Sequence, residues 1–383
     1  MDRKPRILFY FLHLLGVGHV YRAKRLIDGF ERHGFAVDII YGGQRLDEIE
    51  FACESIHYLS PIRAADNSYS TYLDADDQPL ERPFQDLRAR QIKAIFNKLK
   101  PDIVLTEAFP FGRRMVRYEM EALLQAVQER HPKPLVVSSV RDILQERKKP
   151  GRVEETCDLI NRYFDRILVH SDASVIELDA TFPLTHKIRD KLSYTGFVVP
   201  TASTETAITS FDVVVSAGGG AFGGDLIATA IRAAGQKPDW DWCLSTGPNL
   251  AADHFQELAD QCPANVKLTR YIPSLAEQLK QARISISQCG YNTAMDALAA
   301  HRDSACRAVF VPYDTEGQSE QLRRAELLEQ GGYAICLPQS QLTEESLLVA
   351  CEQAITMKRV DHDINFDGVD NSAKLLLSWL EER

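Results

Sequence analysis

The 383-residue sequence predicts an α/β chain of two Rossmann-like domains, each a parallel sheet with helices on both faces. Three observations carry this. Short apolar runs rich in β-branched and aromatic residues alternate with helix-length segments along the whole chain. At two places, Phe9–Leu26 and Val213–Ile231, an apolar run enters glycines and then at once a helical pattern. Between the halves lies Thr195–Ser210, polar and turn-rich as linkers are. The expected domains are 1–200 and 201–366, with a closing helix, 367–383, that returns to the first domain.

Taken in order, Arg6–His13 is nearly all apolar, as a strand buried on both faces must be. A helix follows from about Tyr21 to His33 and stops at Gly34; "FAVDIIYGG" is the next strand, completing a βαβ unit. Ser60–Pro83 has little periodicity and reads as a long exposed loop. "LRARQIKAIFNKLKPDIVLTEAF" is helix, Pro101 and strand; "PKPLVVSSVRDIL" and "DRILVHSDASVIE" supply two more strands. After the linker, "WDWCLST", "ANVKLTRYI", "ARISISQ", "RAVFVPY" and "YAICLP" are the strand candidates, and "DGVDNSAKLLLSWLEER" is the closing amphipathic helix.

Bulk composition narrows the function. A chain this long with 45% hydrophobic residues supports two cores, and a formal charge of −10 argues against nucleic-acid binding. The eight cysteines form no CxxC pair, so neither a zinc site nor a disulfide framework is indicated. The charged N-terminus is followed by an apolar run too short to span a bilayer. The expectation is a cytoplasmic protein, at most peripheral at the inner face of a membrane.

Four stretches carry chemistry. In "LLGVGHVYRA", Gly16 and Gly18 allow close backbone approach and His19 stands where turn meets helix, placed to touch a phosphate or hydroxyl or to act as a base. The plainer reading is a tight packing turn with His19 as helix cap. Tyr21 stands where a dinucleotide fingerprint needs its third glycine, which opposes NAD. In "VVVSAGGGAFGGDLIATAI", Ser216, Gly218, Gly219, Gly220, Gly223 and Gly224 offer backbone N–H groups to a diphosphate, and no Lys-Ser/Thr follows to make a P-loop. In "ISISQCGYNTAMDALAA", Gly290 breaks a strand, Asn292 is a candidate cap before a helix from Thr293, and Asn292 and Asp296 share a helix face from which a carboxylate can hold a ribose. In "VPYDTEGQSEQLRRAELL", Glu316, Gln318, Glu320 and Gln321 crowd a strand end with groups suited to sugar hydroxyls. Arg141, in "SSVRDIL", is a lesser candidate. The D-x-D matches at Asp74–Asp77, Asp239–Asp241 and Asp361–Asp363 read as ordinary polar turns, and no metal is expected.

Together these stretches resemble the GT-B glycosyltransferases of family 28, the group of the peptidoglycan-precursor N-acetylglucosaminyltransferase and plant monogalactosyldiacylglycerol synthase. "SQCGYNTAMDAL" resembles that family's S-x-S-G-x-x-T-x-x-E stretch, with Gly290 and Thr293 matching and Asp296 in place of the glutamate. The resemblance implies that Gly290, Asn292, Thr293 and Asp296 hold the nucleotide and its ribose. It also implies that Glu320 and Gln321 hold the donor sugar, and Gly18, Ser216, Gly218, Gly219 and Gly220 the diphosphate. His19 is the catalytic candidate. The implied fold is GT-B, two Rossmann-like domains across a cleft. The implied activity is metal-independent, inverting transfer from an NDP-sugar, UDP first, to a lipid-linked, polysaccharide or small-molecule acceptor. Cell-envelope or polysaccharide synthesis is the implied setting, with no separate cofactor. Asp225 is a departure, since it places negative charge near the expected phosphate site. A nucleotide-sugar 2-epimerase or hydrolase of the same fold, and a non-catalytic nucleotide-sugar-binding subunit, are the other readings.

Overall fold

The computed structural model describes residues 3–383 except 15–16, 47, 66–70, 146–149, 201–208, 219–222, 248–249, 315–318, 359 and 361–362. The chain forms two units, one of residues 1–173, 177–198 and 367–383, the other chiefly of residues 199–366.

The first unit opens with β1 (Arg6–Phe11), α1 (Gly18–Arg32), β2 (Ala36–Tyr41), β3 (Ser55–Tyr58) and a short antiparallel pair, β4 (Arg63–Ala64) and β5 (Tyr72–Leu73). It continues with α2 (Arg82–Leu99), β6 (Ile103–Glu107), α3 (Arg117–Glu129), β7 (Leu135–Arg141), α4 (Arg152–Tyr163), β8 (Arg166–His170) and β9 (Leu192–Tyr194). Seven of these strands form one parallel sheet in the order β3-β2-β1-β6-β7-β8-β9. Strands β1 and β6 at its centre are buried over nearly their whole length, which is why they read as unbroken apolar runs. Helix α1 packs on this sheet through Val20, Ala23, Leu26, Ile27 and Phe30, with Phe30 edge-on to Phe9.

The second unit holds β10 (Val213–Ser216), α5 (Gly224–Gly235), β11 (Trp242–Ser245), α6 (Ala252–Ala259), β12 (Val266–Thr269), α7 (Leu275–Lys280) and β13 (Ile284–Ser287). Then come α8 (Tyr291–Asp303), β14 (Arg307–Phe310), α9 (Ser319–Gln330), β15 (Ile335–Cys336) and α10 (Glu344–Thr356). Its six parallel strands run β12-β11-β10-β13-β14-β15.

The chain then re-enters the first unit as α11 (Gly368–Glu381). Val198 bridges to Asp367, and α11 lies along α1. The approach is close: a Cβ at Gly29 of α1 would meet Val369 Cγ1 at 2.0 Å, so glycine is required there. Asp370 on α11 pairs with His33 at 3.0 Å and Arg32 at 3.3 Å.

Three local expectations change. Helix α1 starts at Gly18, three residues before Tyr21, so His19 lies in its first turn. The polar stretch 60–83 carries the β4–β5 pair, and Asp74 Oδ1 accepts from the backbone N–H groups of Asp76 and Gln78, which closes a turn. Thr195, read as the start of the linker, is fully buried.

Candidate functional site

In an open parallel sheet, the crevice lies at the carboxyl ends of the strands where strand order reverses. The first unit reverses between β1 and β6, the second between β10 and β13. Every chemically promising stretch falls at one of these two points or on the strand next to it.

At the first point, β1 leads through Val17, the N-cap residue, into α1, and β6 ends on Glu107. Gly16 lies outside the described residues. His19 does not cap the helix; its Nδ1 is 2.6 Å from Glu107 Oε1. A carboxylate oxygen can only accept, so Nδ1 carries the proton and Nε2 the lone pair. Arg22, one turn on, donates to the same Glu107 oxygen, and Arg113 Nη2 lies 3.7 Å from Oε2. Glu107 is fully buried.

Burial pushes the His19 pKa down, Glu107 pulls it up, and Arg113 and Arg141 push it down again; the net shift is downward, so the ring is neutral at pH 7. Burial alone would raise Glu107, but neighbouring positive charge holds it well below the usual carboxylate range. With His19 neutral, that charge comes from Arg22 and Arg113. Arg141 ends β7, the strand beside β6.

A second buried histidine backs this cluster. His170 ends β8; its Nε2 is 2.7 Å from Ser139 Oγ and its Nδ1 is 3.0 Å from Thr195 Oγ1. The Thr195 hydroxyl donates to Gly196 O at 2.8 Å, so His170 Nδ1–H donates to Thr195, and Ser139 donates to Nε2. Burial, with Arg22 nearby, lowers this ring to about 3.

In the second unit, the carboxyl ends of β10, β13 and β14 lie side by side, Ser216 opposite Ser287 and Ser287 opposite Phe310. After β10 the chain turns at Gly218, φ +72°, whose N–H donates to Ser216 Oγ at 3.3 Å. A Cβ at Gly247, φ +81°, would sit 2.4 Å from Gly218 O, and one at Gly223 would sit 2.2 Å from Ala217 Cβ. Packing by itself therefore requires two glycines around this turn. Gly219 and Gly220 lie outside the described residues. Asp225 sits in the first turn of α5 and accepts from Gln339 Nε2 at 3.3 Å, in a position where the helix dipole favours a carboxylate.

After β13, the extended Gly290 is itself the N-cap and α8 starts at Tyr291. Asn292 is therefore inside the helix, not its cap. A Cβ at Gly290 would meet nothing within 4 Å. Asp296 is buried at 5% exposure, one turn beyond the half-buried Asn292 and near Thr293. After β14, Gln321 Oε1 accepts from Tyr313 N at 3.2 Å, and Glu320 Oε1 accepts from Arg324 Nη2 at 2.9 Å. Arg324, fully buried, also donates to Cys289 O at 2.7 Å and so ties α9 to the turn that carries Gly290. Glu316 and Gln318 lie outside the described residues.

Sequence reasoning missed Glu107, Arg22, Arg113, His170 and Arg324. Glu107 had a signal: an acid ending the run "DIVLTE" at a strand carboxyl end. The others depend on contacts far apart in sequence. Among the described residues there is no group of three or more His, Cys, Asp or Glu side chains arranged to hold a metal. Asp77 pairs with Arg63, and Asp361 lies outside the described residues.

Residues 222–362 match the family model of the glycosyltransferase family 28 C-terminal domain. Over 171 residues the chain is 26% identical to the UDP-N-acetylglucosamine--N-acetylmuramyl-(pentapeptide) pyrophosphoryl-undecaprenol N-acetylglucosamine transferase of Thermotoga neapolitana, 45% of this chain and 47% of that protein. The match thus spans about half the length of that curated relative. Among solved structures, Acinetobacter baumannii MurG is similar with a TM-score of 0.60 at 16% identity, over 98% of this chain and 100% of that one. The UDP-GlcNAc 2-epimerase of Methanocaldococcus jannaschii is similar with a TM-score of 0.61 at 11% identity, over 97% and 99%. The chain has the GT-B fold that these proteins share, as the sequence resemblance implied, and the stretch similar to the family 28 C-terminal domain lies in its second unit. No helix among the described residues is long and apolar enough to cross a membrane.

Proposed function

We propose that the chain is a glycosyltransferase that moves a sugar from a nucleoside-diphosphate sugar, UDP first, to an acceptor hydroxyl with inversion. The observation that carries this is the family 28 domain at residues 222–362. The site residues fit roles in such a reaction. In the family 28 domain, the Gly218 turn and the amino end of α5 would meet the diphosphate, with Gly219 and Gly220 in the same loop. Asp296, with Asn292 and Thr293, would hold the ribose, and Glu320 and Gln321 the donor sugar. Gly290 suits close ligand approach, because the protein's own packing does not require a glycine there.

In the first unit, Gly18 opens the helix that carries His19. His19 Nε2 would take the proton of the attacking hydroxyl while Glu107 holds the ring tautomer and stabilises the imidazolium that forms. The acceptor oxygen bonds to the anomeric carbon as its bond to the diphosphate oxygen breaks. The nucleoside diphosphate leaves with the extra negative charge, which backbone N–H groups stabilise without a metal. No separate cofactor enters this scheme. A lipid-linked acceptor, met by a cytoplasmic enzyme lying peripherally on the inner face of a membrane, is the proposed setting; the curated relative's name carries an acceptor of that kind.

The test is incubation with UDP-, GDP- and dTDP-sugars, with and without candidate acceptors, following nucleotide release and product. Acceptor-dependent release supports transfer. Epimer or free sugar from donor alone would replace it with the 2-epimerase or hydrolase reading, which the fold also hosts. Nucleotide binding without turnover would favour a non-catalytic binding subunit.

A further inference from the structure

We propose that Arg324 is the positioning residue of the donor site in the second unit. One buried guanidinium fixes the Glu320 carboxylate at the sugar end and the Cys289–Gly290 turn at the nucleotide end, so that both parts of the donor are gripped as a unit. That these two ends hold sugar and nucleotide rests on the transfer reading above.

Glu320 and Arg324 stand four apart in α9, the spacing at which an acid and a base meet on one helix face. On a surface such a pair contributes little, and α9 carries one of that kind: Arg323, 41% exposed, pairs with Glu326 at 3.7 Å. Arg324 differs in being fully buried, while Glu320 keeps 16% of its side chain exposed. Taking a guanidinium out of water is costly, and an apolar residue at this position would avoid the cost. What the arginine makes here is a pair of bonds. Its Nη1 donates to Cys289 O at 2.7 Å while its Nη2 donates to Glu320 Oε1 at 2.9 Å. The guanidinium also lies over the Tyr291 ring, 5.9 Å from the centroid.

Both acceptors sit where the donor is expected. Cys289 O is the last carbonyl before Gly290, which caps α8 and precedes Asn292, Thr293 and Asp296. Glu320 lies in the first turn of α9 beside Gln321, whose own Oε1 accepts from Tyr313 N at 3.2 Å. The two nitrogens that bond to Cys289 and Glu320 belong to one rigid plane, so a shift of the turn carries the carboxylate with it. A lysine places a compact ammonium on a flexible stem and cannot hold two acceptors in one plane. Fully buried, Arg324 acts through Glu320 and through the turn rather than by touching the ligand.

Titration calorimetry of the full-length protein with UDP, UDP-glucose and UDP-N-acetylglucosamine tests this through a double-variant cycle of Glu320→Gln and Arg324→Met. Glu320→Gln alone is expected to weaken the better-bound sugar nucleotide about tenfold, the scale of one lost hydrogen bond to a charged group, with UDP unchanged. Arg324→Met is expected to weaken that sugar nucleotide at least as much, and UDP as well, because it releases both ends. Added to Arg324→Met, Glu320→Gln is expected to cost less than about twofold more, since the carboxylate is already loose. Losses that multiply in the double variant overturn the coupling, as does a Glu320→Gln variant with wild-type affinity for both sugar nucleotides. Wild-type affinities in a folded Arg324→Met protein would leave Arg324 a purely structural role and overturn the proposal. Should Arg324→Met fail to fold, Arg324→Lys takes its place in the cycle. Weakened sugar-nucleotide binding that Glu320→Gln does not deepen supports the planar fork, and unchanged binding removes it. A wild type that binds no UDP removes the transfer reading and the donor role of Arg324 together, a result distinct from multiplying losses in a protein that binds UDP.

Discussion

At the reversal point of its sheet, the first unit presents side chains and the second presents backbone. His19, Glu107, Arg22 and Arg113 gather at the ends of β1 and β6, almost wholly out of water. At the matching place in the second unit, the turn after β10 is built of glycines, and the charged side chains nearby point to protein partners, Asp225 to Gln339 and Glu320 to Arg324. One topology thus yields two kinds of site. A buried network of charges fixes a proton's position, because each low-dielectric contact excludes the other tautomer. A bare turn offers N–H donors to an anion without presenting a counter-charge. The first suits a base, the second a leaving group.

The sharpest way to break this comparison is to remove the proton-positioning pair. Glu107→Gln and His19→Ala are each expected to lower kcat by about 10²–10⁴-fold while UDP affinity stays at the wild-type value, read by initial rates and by titration with UDP. Full activity in both variants would end the assignment of the first unit's site. Next in size is Arg22→Met. It strands a buried carboxylate and is expected to cost about 3–5 kcal/mol in denaturant unfolding. A loss under 1 kcal/mol would mean that Glu107 is held by other groups.

In the second unit the glycines can be set against each other. Gly223→Ala places a Cβ 2.2 Å from that of Ala217 and is expected to cost about 1–3 kcal/mol. Gly290→Ala meets nothing and should leave stability within about 0.5 kcal/mol of wild type, yet weaken UDP binding if the ligand passes close to that Cα. Equal losses of stability in the two variants would contradict the packing described here.

The smallest effect is the pH dependence of the histidines. His170, at about 3, is neutral when folded across the range where its unfolded form, near 6.5, takes up a proton. The unfolded state therefore binds more protons below pH 6.5, and stability falls as pH drops from there toward 3, by about 1.4 kcal/mol per pH unit for this residue. His170→Gln should flatten that slope in unfolding measured from pH 7 to pH 4. His19, shifted in the same direction, should place the acid limb of kcat/KM below 6.5.

Much of this was legible without coordinates. Apolar runs at β1, β6, β7 and β10, each followed by a helical pattern, mark parallel strands because such strands are covered on both faces and tolerate few polar residues. The glycines at 218 and 290 stood out because they break those patterns at strand ends, and the acid at 296 because it shares a helix face with Asn292. The cap of α8 was misplaced at Asn292 because Asn is a strong cap former, whereas the extended Gly290 fills that position. Arg324 was hidden among ordinary helix residues, since only the fold sets it under Cys289.

The sequence by itself determined the alternation of strands and helices, the two glycine turns and the resemblance of the C-terminal half to family 28, all properties of residues close together in the chain. The tertiary structure alone decided that His19 meets Glu107 from 88 positions away, that Arg113 faces that pair, and that Val369 of the closing helix fills the space left by Gly29. Periodicity records which face of an element is buried. Which side chains then meet across a sheet depends on strand order, and that is set when the sheet assembles.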